Sequence, residues 1–420
     1  MTKRNVLDTL INVNDFTSLH VLLVLVSKKI NSSEEQIKVI TVNREDYPVI
    51  DSHCHPFPLK REASFEQYWM MSLSAQPIFH SRRTVGYEMA SRELAKLFCM
   101  PVSASKDEIL AERNRRYKSD PNTYVQNLLR EANVTGVMVD FGFPIAANRL
   151  TKEEEQEFYD EVASVDVWRI NRIELVTNRL LAEELGFDEF RLRLKDDIVY
   201  MIETEHLVSL KSVIAYFTGL SIQKHDLAEV EKAYGVLLKN RKDKVAEKVI
   251  RDYVFFVGLA ICVEKEIPMQ VHTGMGDAPL CDLRKTNPLL LHDAFGEPVA
   301  QKATIVLDHT GYPFVGEAGF FVSHFENLYI DLSSMIPHAA HAADTKILEL
   351  LEMCPWTRIM YGSDGGSIPE HMWLGAIYVR RSMEKAINTL VDGGYIGEDE
   401  ATEMTRMILS ENAERVYKLR

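Results

Sequence analysis

From residue 48 onward, short apolar or β-branched runs alternate with helix-length amphipathic segments. Eight of these runs read as strands: Val49–Ser52, Gly136–Phe141, Val167–Ile173, Leu207–Tyr216, Met269–Thr273, Thr304–Asp308, Leu328–Leu332 and Arg358–Gly362. Several are apolar without interruption, as strands covered on both faces are. Strands separated by helical segments predict parallel βαβ units. Eight such units predict an α/β fold, the (β/α)8 TIM barrel, whose chemistry sits at the carboxyl ends of the strands.

The rhythm is interrupted in places. Residues 1–47 have helical composition, broken near Asn12–Asp15 and Asn31–Ser33, and carry no evident chemistry; they are expected to form an N-terminal helical extension to a barrel spanning 48–420. Residues 56–135 are too long for a simple loop and are expected to insert a helical cap or lid containing Phe65, Tyr68, Trp69, Met70, Met71, Arg82 and Arg83. The loop 275–300 is expected to border the substrate pocket. The chain should close with a helix from about Asp399 to Lys418.

Composition narrows the function classes. The 420 residues are 46% hydrophobic, enough for one large core. Net charge is −14, from 48 basic and 62 acidic residues. That balance disfavours nucleic acid and anionic membrane surfaces and leaves a small-molecule substrate, with a homo-oligomer compatible. The five cysteines are scattered and odd in number, which points to a reducing, cytoplasmic setting without a disulfide framework. The apolar stretch Val21–Val26 is too short for a signal peptide or a membrane span.

Candidate chemistry sits where the strand runs end. His53 and His55 are two apart after Val49-Ile50-Asp51, so strand alternation points both to one face. His272, His309 and Asp364 follow the fifth, sixth and eighth runs. Neutral imidazoles with a carboxylate suit Zn²⁺, Mn²⁺ or Fe²⁺. In this reading His53, His55, His272 and Asp364 hold the metal. His309 stands beside it to orient or deprotonate water, and Asp364 also moves a proton. A lone histidine in an apolar stretch is more often packing, and His20, His206, His225 and His292 are read that way. His338 and His341 are read as an exposed loop or helix start, and Cys54 as packed on the opposite face. Asp308 and Asp331 are either supporting carboxylates or polar packing.

The pieces IDSHCH, QVHTGMGD, IVLDHTGYPF, MYGSDG and ILSENAERVY resemble the metal-dependent amidohydrolase superfamily. More narrowly they are similar to its amidohydrolase-related branch. That branch includes aminocarboxymuconate-semialdehyde decarboxylase and the amidohydrolase-like half of nodulin/glutamine-synthetase fusion proteins. The resemblance implies a barrel and a divalent ion, with zinc the leading choice. In binuclear members a carboxylated lysine on the fourth strand bridges two metals. Lys211 is placed to do so, which would make two ions; the branch usually holds one, and Lys211 is then a free cation for a substrate carboxylate. Arg172 and Glu174, at the end of the third run, and Arg284 are further candidates for substrate binding. The expected activity is metal-dependent hydrolysis of an amide-like C–N or a C–O bond in a small carboxylate-bearing substrate. Non-oxidative decarboxylation at the same site is the enzymatic rival, and a non-catalytic metal-binding barrel the rival of another class.

Overall fold

In the computed structural model, which describes residues 39–57, 77–142, 150–276, 281–366 and 368–419, every apolar run singled out above contributes a strand. The strands are β1 (Val49–Cys54), β2 (Val134–Asp140), β3 (Asp166–Arg172), β4 (Leu207–Ser212), β5 (Met269–His272), β6 (Ile305–Asp308), β7 (Leu328–Asp331) and β8 (Ile359–Met360). They pair in parallel, each with the next in chain order, in one eight-stranded sheet. Between β8 and β1 the seam is drawn together by single hydrogen bonds: Ser52 N–H to Tyr361 O at 2.9 Å and Asp364 N–H to His53 O at 2.8 Å. The result is a nearly closed (β/α)8 barrel.

The interior alternates with the exterior along each strand. At the amino-terminal end it is filled by Ile50, Met138, Ile170, Val306 and Met360, one from each of five strands. Ala413, Val416, Tyr417 and Leu419 of the chain's last turn close that end like a stopper. Each such aliphatic or aromatic side chain contributes roughly 1.5–3 kcal/mol when fully buried. Gln270 donates from Nε2 to the Tyr417 hydroxyl and to Ser52 O, both at 2.8 Å, tying the stopper to the inner wall. With the bottom packed, the open mouth is left to the polar residues at the strand ends.

The insertion after β1 is helical where described, with helices Val85–Leu97, Lys106–Ser119 and Pro121–Glu131. Ser105 and Glu108 form a reciprocal capping box for the second, and Asp120 caps the third. Phe65, Tyr68, Trp69, Met70 and Met71 lie outside the described residues. The insertion is fastened to the barrel by Arg113, whose Nε donates to Glu370 Oε1 at 2.6 Å, in a pair almost wholly buried.

Several boundaries differ from those predicted. β4 stops at Ser212 and a 3-10 turn, Ile214–Tyr216, replaces its expected end. β3 ends at Arg172 and a helix begins at Ile173, so Arg172 and Glu174 do not alternate along one strand. Residues 39–47 contain no helix, and 1–38 lie outside the described residues. The final helix is interrupted by a wide π turn at Met407–Glu411 before Asn412–Val416. There the buried Asn412 side chain donates to Trp356 O and Ile359 O, both at 2.8 Å, and holds the start of β8. Among the described residues, no helix is long and apolar enough to cross a membrane.

Candidate metal centre

Four strand ends deliver the ligand-type residues to one place. His53 lies in β1 and His55 follows one residue after its end. His272 closes β5, His309 follows β6, and Asp364 lies four residues beyond β8. Asp364 Oδ1 is 3.1 Å from His55 Nε2 and 3.4 Å from His53 Nε2. His309 Nε2 meets His272 Nδ1 at 3.0 Å, and His309 Nδ1 is 3.9 Å from Asp364 Oδ2. Cys54, between the two β1-end histidines, points away, its thiol 3.3 Å from Met138 O. Burial pushes that thiol well up, so it is a packed, protonated group.

Two His-Thr-Gly triplets build one wall by the same device. In each the histidine enters the site, the threonine hydroxyl ties back to a neighbouring strand end, and the glycine turns the chain. Thr273 Oγ1 donates to Asp308 O at 2.6 Å, and Thr310 Oγ1 to Asp331 O at 3.0 Å. Gly274 and Gly311 take φ of +67° and +61°. A Cβ on Gly274 would lie 2.4 Å from Gly311 C and Tyr312 O, both backbone atoms that cannot yield. Gly274→Ala is therefore expected to destabilise the protein by at least ~1–3 kcal/mol, since it adds strain at a left-handed position to a backbone clash. A thermal midpoint equal to that of the unsubstituted protein would contradict this.

His309 and Asp364 also sit at positive φ, 68° and 56°. Neither is glycine, so the conformation is held by its surroundings. His309 N–H donates to Asp331 Oδ1 at 2.8 Å, and Ser363, next to Asp364, donates its N–H to Asp51 Oδ1 at 2.8 Å. Asp51 is wholly buried; desolvation raises its carboxyl to about 7, against the lowering pull of the Ser363 and His53 donors.

Electrostatics suit a cation. Burial lowers His53, with Lys211 adding to the effect, and burial lowers His272 and His309 well below the usual imidazole value, so these rings are neutral near pH 7. Burial alone would raise Asp364. The imidazoles of His309, His53 and His55 outweigh it and hold the carboxyl well below the ordinary range. Neutral imidazoles around an ionised carboxylate are the forms that ligate divalent metals.

The donor set fits such an ion on two further grounds. The Asp364–His distances of 3.1 and 3.4 Å resemble the ligand–ligand edges, roughly 3.3–3.6 Å, of a tetrahedral zinc shell with ordinary bond lengths. Among the described residues, His272 Nε2 is buried with no hydrogen-bond partner, the state of a group awaiting a ligand.

Two carboxylates join the cluster beyond the predicted set. His53, His55 and Asp140 each present a ligand atom within 4.8 Å of the others, as do His53, Asp308 and His309. The sequence leaves Asp308 as either a supporting carboxylate or polar packing. Asp140 was passed over, although it ends the apolar run Val137–Val139 as the other candidates end theirs.

The basic candidates are all engaged. Arg172 Nε donates to Asp140 Oδ2 at 2.7 Å. Lys211 Nζ lies 3.1 Å from Asp308 Oδ2, 3.8 Å from Asp140 Oδ2 and 2.7 Å from His53 Nε2. Arg284 is 88% exposed and is gripped by Asp282 through two contacts of 2.9 Å; no described contact brings it to the cluster. Glu174, expected to face the pocket with Arg172, is turned to Ser212 Oγ at 2.8 Å and Val213 N at 3.0 Å, because it begins a helix. Asp277 lies outside the described residues. Among the other histidines, His206 and His292 are exposed rather than packed, and His225 pairs with Asp252 at 3.1 Å.

Residues 50–419 match the amidohydrolase family. The chain belongs to the amidohydrolase family. Among curated proteins this family member is similar to protein fluG of Emericella nidulans, 25% identical over 412 residues that cover 89% of the chain and 46% of fluG. The amidohydrolase chain thus spans about half the length of that relative. Among solved structures it is similar to a Lactobacillus casei protein put forward as a metal-dependent hydrolase. The TM-score there is 0.75 and identity 22%, covering 90% of this chain and 98% of that one. A glucuronate isomerase from Caulobacter crescentus shares the fold at a TM-score of 0.65 and 12% identity, covering 90% and 92%. An uronate isomerase from Thermotoga maritima does so at 0.63 and 13%, covering 89% and 96%.

Proposed function

We propose that this amidohydrolase hydrolyses an amide-like C–N or a C–O bond of a small substrate, with one divalent ion, zinc first among the choices, held by His53, His55, His272 and Asp364. The observation that carries the reading is that Asp364 lies within 3.4 Å of His53 and His55 at the barrel mouth, with His272 reaching this group through His309. An ion bound there would supply Lewis acidity and bring the pKa of water toward neutrality. Asp364, kept ionised by the imidazoles around it, accepts the proton of the attacking water and hands it to the leaving group. His309 polarises the carbonyl or orients the water, its ring fixed by Ser333 Oγ at 2.8 Å from Nδ1. Lys211 serves as a fixed positive charge between Asp308 and Asp140. A carbamate there would stand against both carboxylates, which favours one ion over two.

The charge of the substrate is revised from the expectation above. Arg172, Lys211 and Arg284 each have a carboxylate partner, so none of them argues for an anionic substrate group. We propose a substrate that presents no carboxylate to these residues.

Protein purified without chelator is expected to carry about one divalent ion per chain by elemental analysis. Stripping it should abolish hydrolysis of simple amides and esters, and adding zinc back should restore it. Full activity at trace metal would remove the ion from the mechanism. Release of CO2 without uptake of water, or sugar-acid isomerisation with neither, would replace hydrolysis by another reaction.

A further inference from the structure

His309 can assist hydrolysis in two ways, and they need opposite states of its Nε2. Polarising a carbonyl needs a proton there; orienting water as an acceptor needs a bare lone pair. The other side of the ring decides between them.

β6 and β7 pair in parallel with Leu307 beside Ile330. Asp331 closes β7, and Ser333 follows two residues later. Both are fully buried, and His309 is 2% exposed. Asp331 Oδ1 accepts the backbone N–H groups of His309 at 2.8 Å and of Ser333 at 3.0 Å. An oxygen that receives two N–H donors carries no proton of its own, so the Ser333 hydroxyl, 2.5 Å away, donates to it. A hydroxyl has one proton and two lone pairs. With the proton given to Asp331, Ser333 Oγ can only accept. It takes the His309 backbone N–H at 3.3 Å and lies 2.8 Å from His309 Nδ1. Nδ1 must therefore carry the ring proton and donate it. Asp364 Oδ2, 3.9 Å from Nδ1, is likewise an acceptor and pulls the same way. In the neutral ring this leaves Nε2 bare, facing His272 Nδ1 at 3.0 Å.

A second aspartate–serine pair gives the contrast. Ser363 Oγ donates to Asp51 Oδ2 and accepts the Gly365 backbone N–H at 2.7 Å. A backbone N–H is always protonated, so that pair sets the path of the Asp364 loop and selects no tautomer.

We propose that Asp331 and Ser333 are positioning residues that hold His309 as its Nδ1–H tautomer, so that Nε2 serves the reaction as an acceptor, taking a hydrogen bond from the attacking water. This assignment rests on the hydrolase reading for the water and withdraws carbonyl polarisation from His309.

The test reads imidazole 15N shifts and N–H couplings of the full chain at pH 7.5, metal-free and zinc-loaded. The His309 signal is assigned by its absence from His309→Asn. The unsubstituted protein is expected to show at least a tenfold excess of Nδ1–H over Nε2–H at His309 in both forms. In the metal-free form Ser333→Ala should bring the two tautomers to comparable populations. Ser333→Thr, which keeps the hydroxyl, should restore the excess, and Asp331→Ala, which frees the Ser333 proton, should shift the ring toward Nε2–H. Zinc-loaded Ser333→Ala should retain its metal and hydrolyse p-nitrophenyl acetate with a kcat lower by ~10–100-fold, the usual worth of a group that orients an imidazole at a metal site, and with KM little changed. A proton on His309 Nε2 in the unsubstituted protein, or an Nδ1–H excess that survives Ser333→Ala, would overturn the proposal; the first result needs no variant to fold. A tautomer held by Ser333 in a protein that hydrolyses neither esters nor amides would leave the assignment standing and count against the hydrolase reading. Hydrolysis by a protein whose His309 is Nε2–H would do the reverse.

Discussion

Asp364→Asn is expected to leave a folded protein that keeps much of its metal and loses ~10²–10⁴-fold in kcat, the usual worth of a positioned acid–base group. Asparagine suits the position because it tolerates left-handed backbone, and Asp364 has φ 56°. Its amide oxygen can still meet His55 Nε2, now 3.1 Å from the carboxylate. What disappears is the negative charge and the ability to take a proton. Three neighbouring imidazoles keep that carboxylate ionised, so the substitution strikes chemistry more than architecture. The check is kcat beside metal content and thermal midpoint. A variant with near-normal kcat would take Asp364 out of the mechanism.

Arg113→Met should be the most damaging substitution away from the site. Glu370 receives Arg113 Nε at 2.6 Å, Arg113 Nη2 at 3.3 Å and the Tyr124 hydroxyl at 2.7 Å, with no exposure of its side chain. Removing the guanidinium leaves a carboxylate in a water-free pocket, a loss of ~3–5 kcal/mol for broken buried pairs. The pH dependence follows from the direction of the shift. Burial would raise the Glu370 carboxyl, but Arg113 and Tyr124 outweigh it and hold it below its ordinary 4.5. In the intact protein its contribution is present above that value and fades as pH falls through the lowered folded pKa. Without Arg113 burial is opposed only by the Tyr124 hydroxyl and a backbone donor, and the folded pKa rises. The variant's deficit should then be larger at pH 8 than at pH 5, where Glu370 can take up a proton. Denaturant midpoints at the two pH values decide it. A deficit under ~1 kcal/mol at pH 8 would mean that the pair does not fasten the insertion to the barrel.

The barrel and the five ligand-type residues were legible in the chain because both follow from local rules. Period-two alternation fixes which face His53 and His55 share, and apolar runs mark strands whose ends are known from sequence alone. The inner wall needs only bulky apolar residues at alternate positions, which Ile50, Met138, Ile170, Val306 and Met360 supply.

Partnership is another matter, because it depends on the arrangement of strands far apart in sequence. Arg172 reads as a candidate for substrate binding until β2 brings Asp140 beside it, and Lys211 as a free cation until β6 brings Asp308. Glu174 was misread because helix entry one residue earlier turns its side chain by a helical rather than an extended step. His338, read as an exposed loop or helix start, lies in the short helix Met335–Ala339 and is part-buried there. The sequence by itself determined the strand rhythm and the ligand types at strand ends, since each is set by side chains a few residues apart. Only the tertiary structure decided which charges are cancelled and which acceptors stay bare, because hydrogen bonds and ion pairs form over about 3 Å between groups that the chain separates by tens to hundreds of residues.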